Sequence, residues 1–173
     1  MALGGNLSSP RFGPPRAALG AALAALEERR ISVLGHSPWY RTAPVPVSDQ
    51  PWFVNGVALV GTELDPSALL KALLDVEVFF GRVRNKANAA RVLDLDLLDY
   101  RGKISNEGAS PALPHPRMQQ RKFVLCPLAD LAADWRHPIT HKTAADLLEA
   151  LKPGQETERM EDAGGRFGTE WKG

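Results

Sequence analysis

The side chains best suited to chemistry in this sequence are two carboxylates one residue apart, Asp94 and Asp96. They interrupt a short apolar segment, residues 91–98, which predicts a buried β-strand. Because alternate side chains of a strand share a face, both carboxylates should point the same way, with Cα atoms roughly 6.5–7 Å apart. Two like charges on a central strand are costly to bury, and Mg²⁺, which prefers carboxylate oxygens, would remove that cost. The alternative is a strand with one solvated face and no metal.

Four cations lie within ten residues beside this pair: Arg82, Arg84, Lys86 and Arg91. Guanidinium groups bind phosphate oxygens in bidentate fashion, and carboxylates hold the metal that accompanies a polyphosphate. The combination therefore favours a site for a polyphosphate and its magnesium. The alternative is a solvated loop, or salt bridges to the two aspartates without any ligand.

Composition restricts the class of protein. A chain of 173 residues with 44% hydrophobic and 24% charged residues is typical of one soluble domain. The net charge of +1 gives no overall field that would favour nucleic acid or a membrane as a partner. The lone Cys126 excludes an internal disulfide, and its apolar neighbours predict a buried structural thiol. Since no apolar stretch approaches membrane length and no leader pattern begins the chain, we expect a cytoplasmic protein.

The elements that must position these groups alternate in type. Periodicity predicts strands at 1–7, 31–40, 52–62, 91–98 and 103–105, and helices at 16–30, 66–80 and 143–151. The strands on either side of the proline-rich loop 41–51 should pair antiparallel. This order predicts an α+β fold of the ferredoxin-like kind, a largely antiparallel sheet flanked by helices in three α-β-α layers. Residues 1–151 would form the domain, and the polar segment 152–173, which lacks a periodic pattern, should be loosely packed or disordered.

Other polar residues stand in places where a ligand would explain them. Asn55 interrupts an apolar strand, and a heterocycle could satisfy its amide, although a core asparagine bonded to the backbone is equally compatible with the pattern. Phe53 nearby could stack on a flat ring. Glu77 lies near a helix C-terminus, where a carboxylate is mildly unfavourable. His115, between two prolines, is held in a rigid turn and shares its segment with Arg121.

Taken together, these segments resemble the 6-hydroxymethyl-7,8-dihydropterin pyrophosphokinases of folate biosynthesis. The resemblance covers Leu3 to about Leu151. Its marks are Gly4-Gly5-Asn6-Leu7, Tyr40-Arg41-Thr42, Pro51 to Asn55, Glu77 with Gly81-Arg82-Val83-Arg84, Arg91 to Asp96, and Leu113-Pro114-His115-Pro116 with Arg121 and Phe123. Each mark is weak alone, and their order and spacing are specific. Members of the family transfer the β,γ-diphosphate of ATP to the hydroxymethyl oxygen of the pterin and release AMP.

The resemblance implies a role for each of these segments. Asp94 and Asp96 would bind two Mg²⁺ ions that bridge the phosphates, and Arg82 and Arg91 would be catalytic. The pterin would contact Thr42, Ala43, Val45, Phe53, Asn55 and Phe123, with its ring between the two phenylalanines and its edge on Asn55. The nucleotide would contact Glu77, Arg82, Arg84, Arg91, Leu97, His115 and Arg121. The loops 8–15, 44–51 and 82–90 would be mobile lids.

The chain departs from the family pattern at several positions. Many members carry a tryptophan shortly before the aspartates, where this chain has Asn88-Ala89-Ala90 in a loop one residue shorter. A frequent tyrosine is replaced by Phe53, which keeps a stacking ring and loses a hydroxyl. The threonine and arginine often found shortly before the histidine are absent, with Ser110 and Ala112 nearby.

Two other classes of function compete with this interpretation. A ferredoxin-like RNA-binding module would present exposed aromatic residues and a basic face on its sheet, whereas this sheet carries two acids. A different magnesium-dependent nucleotidyl or phosphoryl transferase differs only in lacking the pterin pocket. We expect ATP and the pterin as small-molecule partners, no nucleic-acid or membrane partner, and a monomer.

Overall fold

The computed structural model, which describes residues 1–82 and 89–171, is built on a six-stranded antiparallel sheet. The strands are β1 (Ala2–Gly5), β2 (Ser32–His36), β3 (Tyr40–Thr42), β4 (Phe53–Gly61), β5 (Asp94–Asp96) and β6 (Thr157–Arg159). Their order is β5-β1-β4-β3-β6, and β2 pairs with the far end of β4. The short strand β5, which carries both aspartates, therefore lies at the edge of the sheet beside β1.

The predicted strand at 31–40 is divided into β2 and β3, which occupy two halves of the same side of β4. The pairing is antiparallel, as predicted, with Ser32 opposite Gly61 and Thr42 opposite Phe53. The break falls at Pro38, which has no backbone N–H to donate to the ladder.

Four α-helices lie in the described part of the chain, and none combines the length and hydrophobicity that crossing a membrane requires. They are α1 (Pro15–Glu27), α2 (Pro66–Phe79), α3 (Lys122–Leu131) and α4 (Ala144–Glu149), with a 3₁₀ turn, Met118–Gln120, before α3. The Asp65 side chain caps α2 by accepting hydrogen bonds from the N–H groups of Ser67 and Ala68, both at 2.9 Å. Thr143 and Asp146 cap α4 reciprocally. The predicted helices are confirmed.

The helices cover both faces of the sheet. Leu3 and Leu95 pack on one side with α1 and α2, whereas Ala2 and Val57 pack on the other with α3 and α4. This division follows from the alternation of side chains along each strand. The predicted α+β fold, a largely antiparallel sheet between helices, is confirmed; its assignment to the ferredoxin-like kind stays a prediction.

Two local predictions are wrong. Residues 103–105 do not form a strand; they close a loop, in which the N–H of Ser105 donates to the carbonyl of Leu113 at 2.8 Å. This segment does not pair with the sheet, and its apolar residue, Ile104, is exposed. Cys126 is partly exposed rather than fully buried, because it lies at the margin of the face that α3 turns toward the sheet.

The C-terminal segment also differs from expectation. We predicted loose packing or disorder for residues 152–173, but β6 completes the sheet beside β3. Phe167 is buried in the core, and its carbonyl accepts a hydrogen bond from the indole N–H of Trp39 at 2.7 Å. Single apolar anchors separated by polar residues have no period, which is why the sequence pattern did not reveal this packing. The placement of a domain boundary at residue 151 stays a prediction.

The burial of Phe167 gives a test of this packing. Phe167→Ala should lower the free energy of unfolding by about 3 kcal/mol, because it removes a buried aromatic ring. Urea denaturation measures this change. Glu158→Ala, an exposed substitution on β6, should change stability by no more than about 0.5 kcal/mol. Equal stabilities of the two variants would show that the segment does not pack as described.

Candidate active site

A cavity of about 590 Å³ opens on the sheet face that also carries α3 and α4. Asp94 lies opposite Gly4, and Gly4 lies opposite Asn55, so the side chains of this row share one face. The next pair on the same face, Ala2 and Val57, is covered by α3 and α4. The helices therefore cover only part of this face, and the remainder lies in the cavity.

The cavity brings together residues predicted from five separate segments. All six predicted pterin contacts line it: Thr42, Ala43, Val45, Phe53, Asn55 and Phe123. So do both predicted metal ligands and the cationic residues Arg82, Arg91 and Arg121. The structure therefore places an aromatic and amide pocket next to an acidic pair and its arginines.

The arginines bind the two carboxylates directly. Asp94 contacts Arg82 with one oxygen and Arg91 with the other, the second contact at 2.7 Å. Asp96 accepts a hydrogen bond from Nη1 of Arg121 at 3.1 Å. These charge-assisted contacts offset the repulsion between the two aspartates. They also hold three guanidinium groups, counted among the described residues, at the positions where a phosphate chain could meet them.

Glu77 lies beneath this cluster rather than in the cavity. Only 1% of its surface is exposed, and its Oε1 accepts a hydrogen bond from the N–H of Leu95 at 2.7 Å and contacts Arg82. Burial raises the pKa of Glu77 from 4.5 to about 7, while the Leu95 N–H and Arg82 oppose that rise. Glu77 thus orients Arg82 and anchors β5. Any effect of Glu77 on nucleotide binding would therefore be indirect, through the position of Arg82.

His115 lies beside Asp96, near the same carboxylate oxygen that binds Arg121. Its Nδ1 accepts a hydrogen bond from the N–H of Arg117 at 3.2 Å, so the neutral ring carries its proton on Nε2. That nitrogen is 3.9 Å from Oδ2 of Asp96. Burial, together with Arg121 and Arg117, lowers the pKa of His115 against the opposing effect of Asp96. The ring therefore supplies a neutral N–H donor near neutral pH.

Asn55 is fixed by its neighbours on the sheet. Its Nδ2 donates to Oγ1 of Thr42 at 2.7 Å. Its Oδ1 lies across β1, where a Cβ on Gly4 would approach it to 2.5 Å. Glycine is therefore required at position 4 for the amide to take this orientation. Asn55 is bonded to a side chain, which differs from the alternative of a core asparagine bonded to the backbone.

Asn6 joins two walls of the cavity. Its Nδ2 donates to the carbonyl of Pro51 at 2.9 Å, and its Oδ1 accepts from the N–H of Arg91 at 2.8 Å. The side chain thus ties the loop that precedes β4 to the segment that leads into β5. The sequence indicated only a glycine turn here, because both contacts are to distant backbone groups.

Other residues of the cavity were not predicted as contacts. They are Gly4, Pro44, Pro46, Ser48, Gln50, Ala89, Ala90 and Arg117. Most lie in loops beside predicted residues, so adjacency in sequence was the available signal. The prolines of the loop predicted at 41–51 restrict its backbone, and Pro44 and Pro46 themselves line the cavity.

The described lining of the cavity does not include every predicted residue. The Leu97 side chain is buried in the core, so any contact it makes with a nucleotide would have to come from its main chain. Arg84 and Lys86 lie outside the described residues, as does most of the predicted lid at 82–90. The predicted lid at 8–15 packs on α2, where the Phe12 and Phe80 rings stack with centroids 4.0 Å apart. The mobility of these loops stays a prediction.

The residues present fit a magnesium ion that is shared with phosphate. Asp94 and Asp96 present carboxylates from the same strand face into the cavity. Within residues 1–82 and 89–171, no group of three or more His, Cys, Asp and Glu side chains could hold a metal by itself. Mg²⁺ usually takes one or two carboxylates and completes its shell with water and substrate phosphates. The donor set therefore matches a metal that arrives with a nucleotide.

An acidic pair with its arginines beside an aromatic and amide pocket is the arrangement expected of a transferase of phosphate groups that acts on a flat ring. Comparison with known proteins makes this specific. The model of the family described as 7,8-dihydro-6-hydroxymethylpterin-pyrophosphokinase (HPPK) matches residues 1–133. This chain belongs to that family.

Relatives over most of the chain agree. A 2-amino-4-hydroxy-6-hydroxymethyldihydropteridine pyrophosphokinase of Pseudomonas aeruginosa is 46% identical over 163 residues, which are 94% of this chain and 96% of the relative. One from Synechocystis sp. is 41% identical over 150 residues, 86% of this chain and 73% of the relative. The folic acid synthesis protein fol1 of Schizosaccharomyces pombe is 38% identical over 121 residues, 70% of this chain and 16% of that larger protein.

The environment of Glu77 predicts a pH dependence of stability. Its folded-state pKa of about 7 lies above the ordinary 4.5. The folded protein therefore favours the protonated carboxyl of Glu77. The contribution of this preference to the free energy of unfolding is complete below about pH 4.5 and is lost as the pH rises through about 7. Glu77→Gln cannot titrate, so the free energy of unfolding of the wild type relative to this variant should fall by about 3 kcal/mol over that interval. Urea denaturation of both proteins from pH 4 to 8 measures the difference, and parallel profiles would contradict it.

Proposed function

We propose that this chain catalyses the magnesium-dependent transfer of the β,γ-diphosphate of ATP to 6-hydroxymethyl-7,8-dihydropterin, a step of folate biosynthesis. The hydroxymethyl oxygen bonds to the β-phosphorus, the bond from that phosphorus to the α,β-bridging oxygen breaks, and AMP leaves. The hydroxyl proton is released. The observation that carries the proposal is the shared cavity, which joins a pocket for a flat polar ring to an acidic pair ringed by arginines.

The pterin pocket is the part of the site that selects the acceptor. Phe53 and Phe123 both line the cavity and would stack on opposite faces of the ring. The amide of Asn55 and the hydroxyl of Thr42, already bonded to each other, would meet the ring N–H and carbonyl groups at its edge. Ala43 and Val45 belong to the same wall and would contact the ring through backbone and apolar groups. A ligand that lacks these edge groups would leave buried polar atoms without partners, which gives specificity.

The acidic pair would hold the metal. Asp94 and Asp96 would hold two Mg²⁺ ions, and when bound these would neutralise charge on the phosphates and lower the pKa of the acceptor hydroxyl. Their position on a strand fixes both carboxylates rigidly at the edge of the pterin pocket.

The arginines would stabilise the transferred group. Arg82 and Arg91 both contact Asp94 and line the cavity, so a small side-chain movement would bring either guanidinium onto a phosphate. A diphosphoryl group in transit spreads negative charge over its oxygens, and positioned cations are the principal means of lowering that barrier. We assign the catalytic role to these two arginines. Arg121 and the Nε2 donor of His115 would hold the nucleotide on the Asp96 side.

Several finer statements belong to the same proposal. The number of metal ions and the contacts of Arg84 and Leu97 with nucleotide rest on the family resemblance. The monomeric state and the cytoplasmic location are carried from the sequence as predictions. The folate step itself involves only small molecules, so nothing in the proposed reaction calls for a nucleic acid or a membrane.

The proposal is tested by product analysis. We expect the protein, mixed with Mg²⁺, ATP and 6-hydroxymethyl-7,8-dihydropterin, to form AMP in proportion to the pterin consumed. Asp94→Asn and Asp96→Asn should each lower kcat by at least about 10²-fold, because the charge that binds metal is lost while the shape is kept. Chromatographic separation of AMP and ADP measures both results.

A matched control removes the same charge elsewhere. Asp75→Asn, on the exposed surface of α2, should retain wild-type turnover. ADP in place of AMP would establish a phosphoryl transferase of another kind. Full activity of Asp94→Asn would remove the acidic pair from the mechanism.

A further inference from the structure

We propose that Gln155, which lies beyond the residues matched by the family model, is a positioning residue of this active site. It fixes Arg121 and Phe123 relative to the strand that carries Thr42. The proposal deepens the function given above and rests on it, since Arg121 and Phe123 are expected to contact the two substrates. It concerns the C-terminal segment, for which the sequence pattern predicted no ordered contact.

The Gln155 amide binds the two peptide groups on either side of Arg121. Its Oε1 accepts from the N–H of Lys122 at 2.8 Å, and its Nε2 donates to the carbonyl of Gln120 at 3.0 Å. Lys122 is the first residue of α3, so its N–H has no partner within the helix. Among the described residues, Arg121 at the N-cap position makes no side-chain capping bond. Gln155 therefore caps α3 from a distant part of the chain.

The residues that follow Gln155 are fixed to the opposite wall of the cavity. The carbonyl of Glu156 accepts from the N–H of Ala43 at 3.2 Å, and Thr157 in β6 lies opposite Thr42 in β3. Ala43 and Thr42 line the cavity. The short segment 155–157 thus connects the start of α3 with β3, the strand that carries Thr42.

Arg121 is the residue that most needs this support. It joins the 3₁₀ turn to α3 with extended backbone angles, φ −116° and ψ 103°, between two elements whose ends would otherwise fray. Its guanidinium lies 3.1 Å from Asp96 and 5.4 Å from the centre of the Phe123 ring. Because the adjoining peptide planes set the direction of its side chain, the Gln155 amide controls where that charge lies in the cavity.

A double-mutant cycle tests the coupling. Gln155→Ala removes two hydrogen bonds and should weaken binding of a magnesium complex of a methylene analogue of ATP about five- to tenfold by calorimetry. In an Arg121→Ala background the same substitution should change affinity by less than about twofold, because its effect passes through Arg121. Gln155→Asn, one methylene too short to reach both groups, should behave as Gln155→Ala does. Glu158→Ala, exposed on the opposite face of β6, is the control and should bind as the wild type does.

A second measurement does not depend on nucleotide or turnover. Hydrogen exchange of the Lys122 amide should accelerate in Gln155→Ala and stay unchanged in Glu158→Ala. Equal weakening in both Arg121 backgrounds, or unaltered exchange at Lys122, would overturn the positioning role. Absence of nucleotide binding by the wild type would overturn both proposals. Binding without pterin-dependent AMP would overturn the proposed reaction alone, since the cycle and the exchange still report on Gln155.

Discussion

The ion pairs of Asp94 and Asp96 with Arg82, Arg91 and Arg121 are the interaction on which the site depends. A strand that places two carboxylates on one face needs compensating charge if that face is partly covered. Each arginine comes from a different part of the chain, so satisfying the pair draws the end of α2, the approach to β5 and the start of α3 together. Residues without charge, such as Asn6 and Gln155, then lock those segments in place through backbone contacts.

These ion pairs also suggest how substrates could bind without leaving a partly buried charge unpaired. In the proposed reaction, metal ions would bind the carboxylates and phosphates would bind the guanidinium groups. Each charged side chain would then replace its present partner with another of opposite charge. Glu77 limits how far Arg82 can move, because it contacts that guanidinium from below. The proposed pterin pocket carries no charged side chain at Asn55 or Thr42. Strand pairing places Asn55 opposite Gly4, and its side chain lies across that glycine. The charged groups that would exchange partners and the neutral groups that would bind the ring therefore lie in adjacent parts of the same cavity.

Local alternation was sufficient to predict much of this arrangement. It correctly placed Asp94 and Asp96 on one face, and the helices and the antiparallel pairing around β4 were visible as periodicity and proline punctuation. Contacts between a side chain and a distant backbone group leave no such trace. For that reason the sequence did not reveal the contacts of Asn6 and Gln155. The packing of Phe167 was missed because a single apolar anchor among polar residues has no period. Residues 103–105, predicted as a strand, instead close a loop. The Leu97 side chain lies in the core, so the nucleotide contact predicted for Leu97 from the resemblance would have to be made by its main chain.

If the proposed reaction is correct, the carboxylates and the arginines exchange partners when substrates bind. A crystal structure with Mn²⁺, a methylene analogue of ATP and the pterin would reveal this exchange, because anomalous scattering locates the metal independently of the protein. We expect anomalous peaks at the carboxylates of Asp94 and Asp96, with Arg82 or Arg91 moved from Asp94 onto phosphate oxygens. Metal bound elsewhere, or phosphates bound while both arginines remain on Asp94, would contradict the proposed exchange.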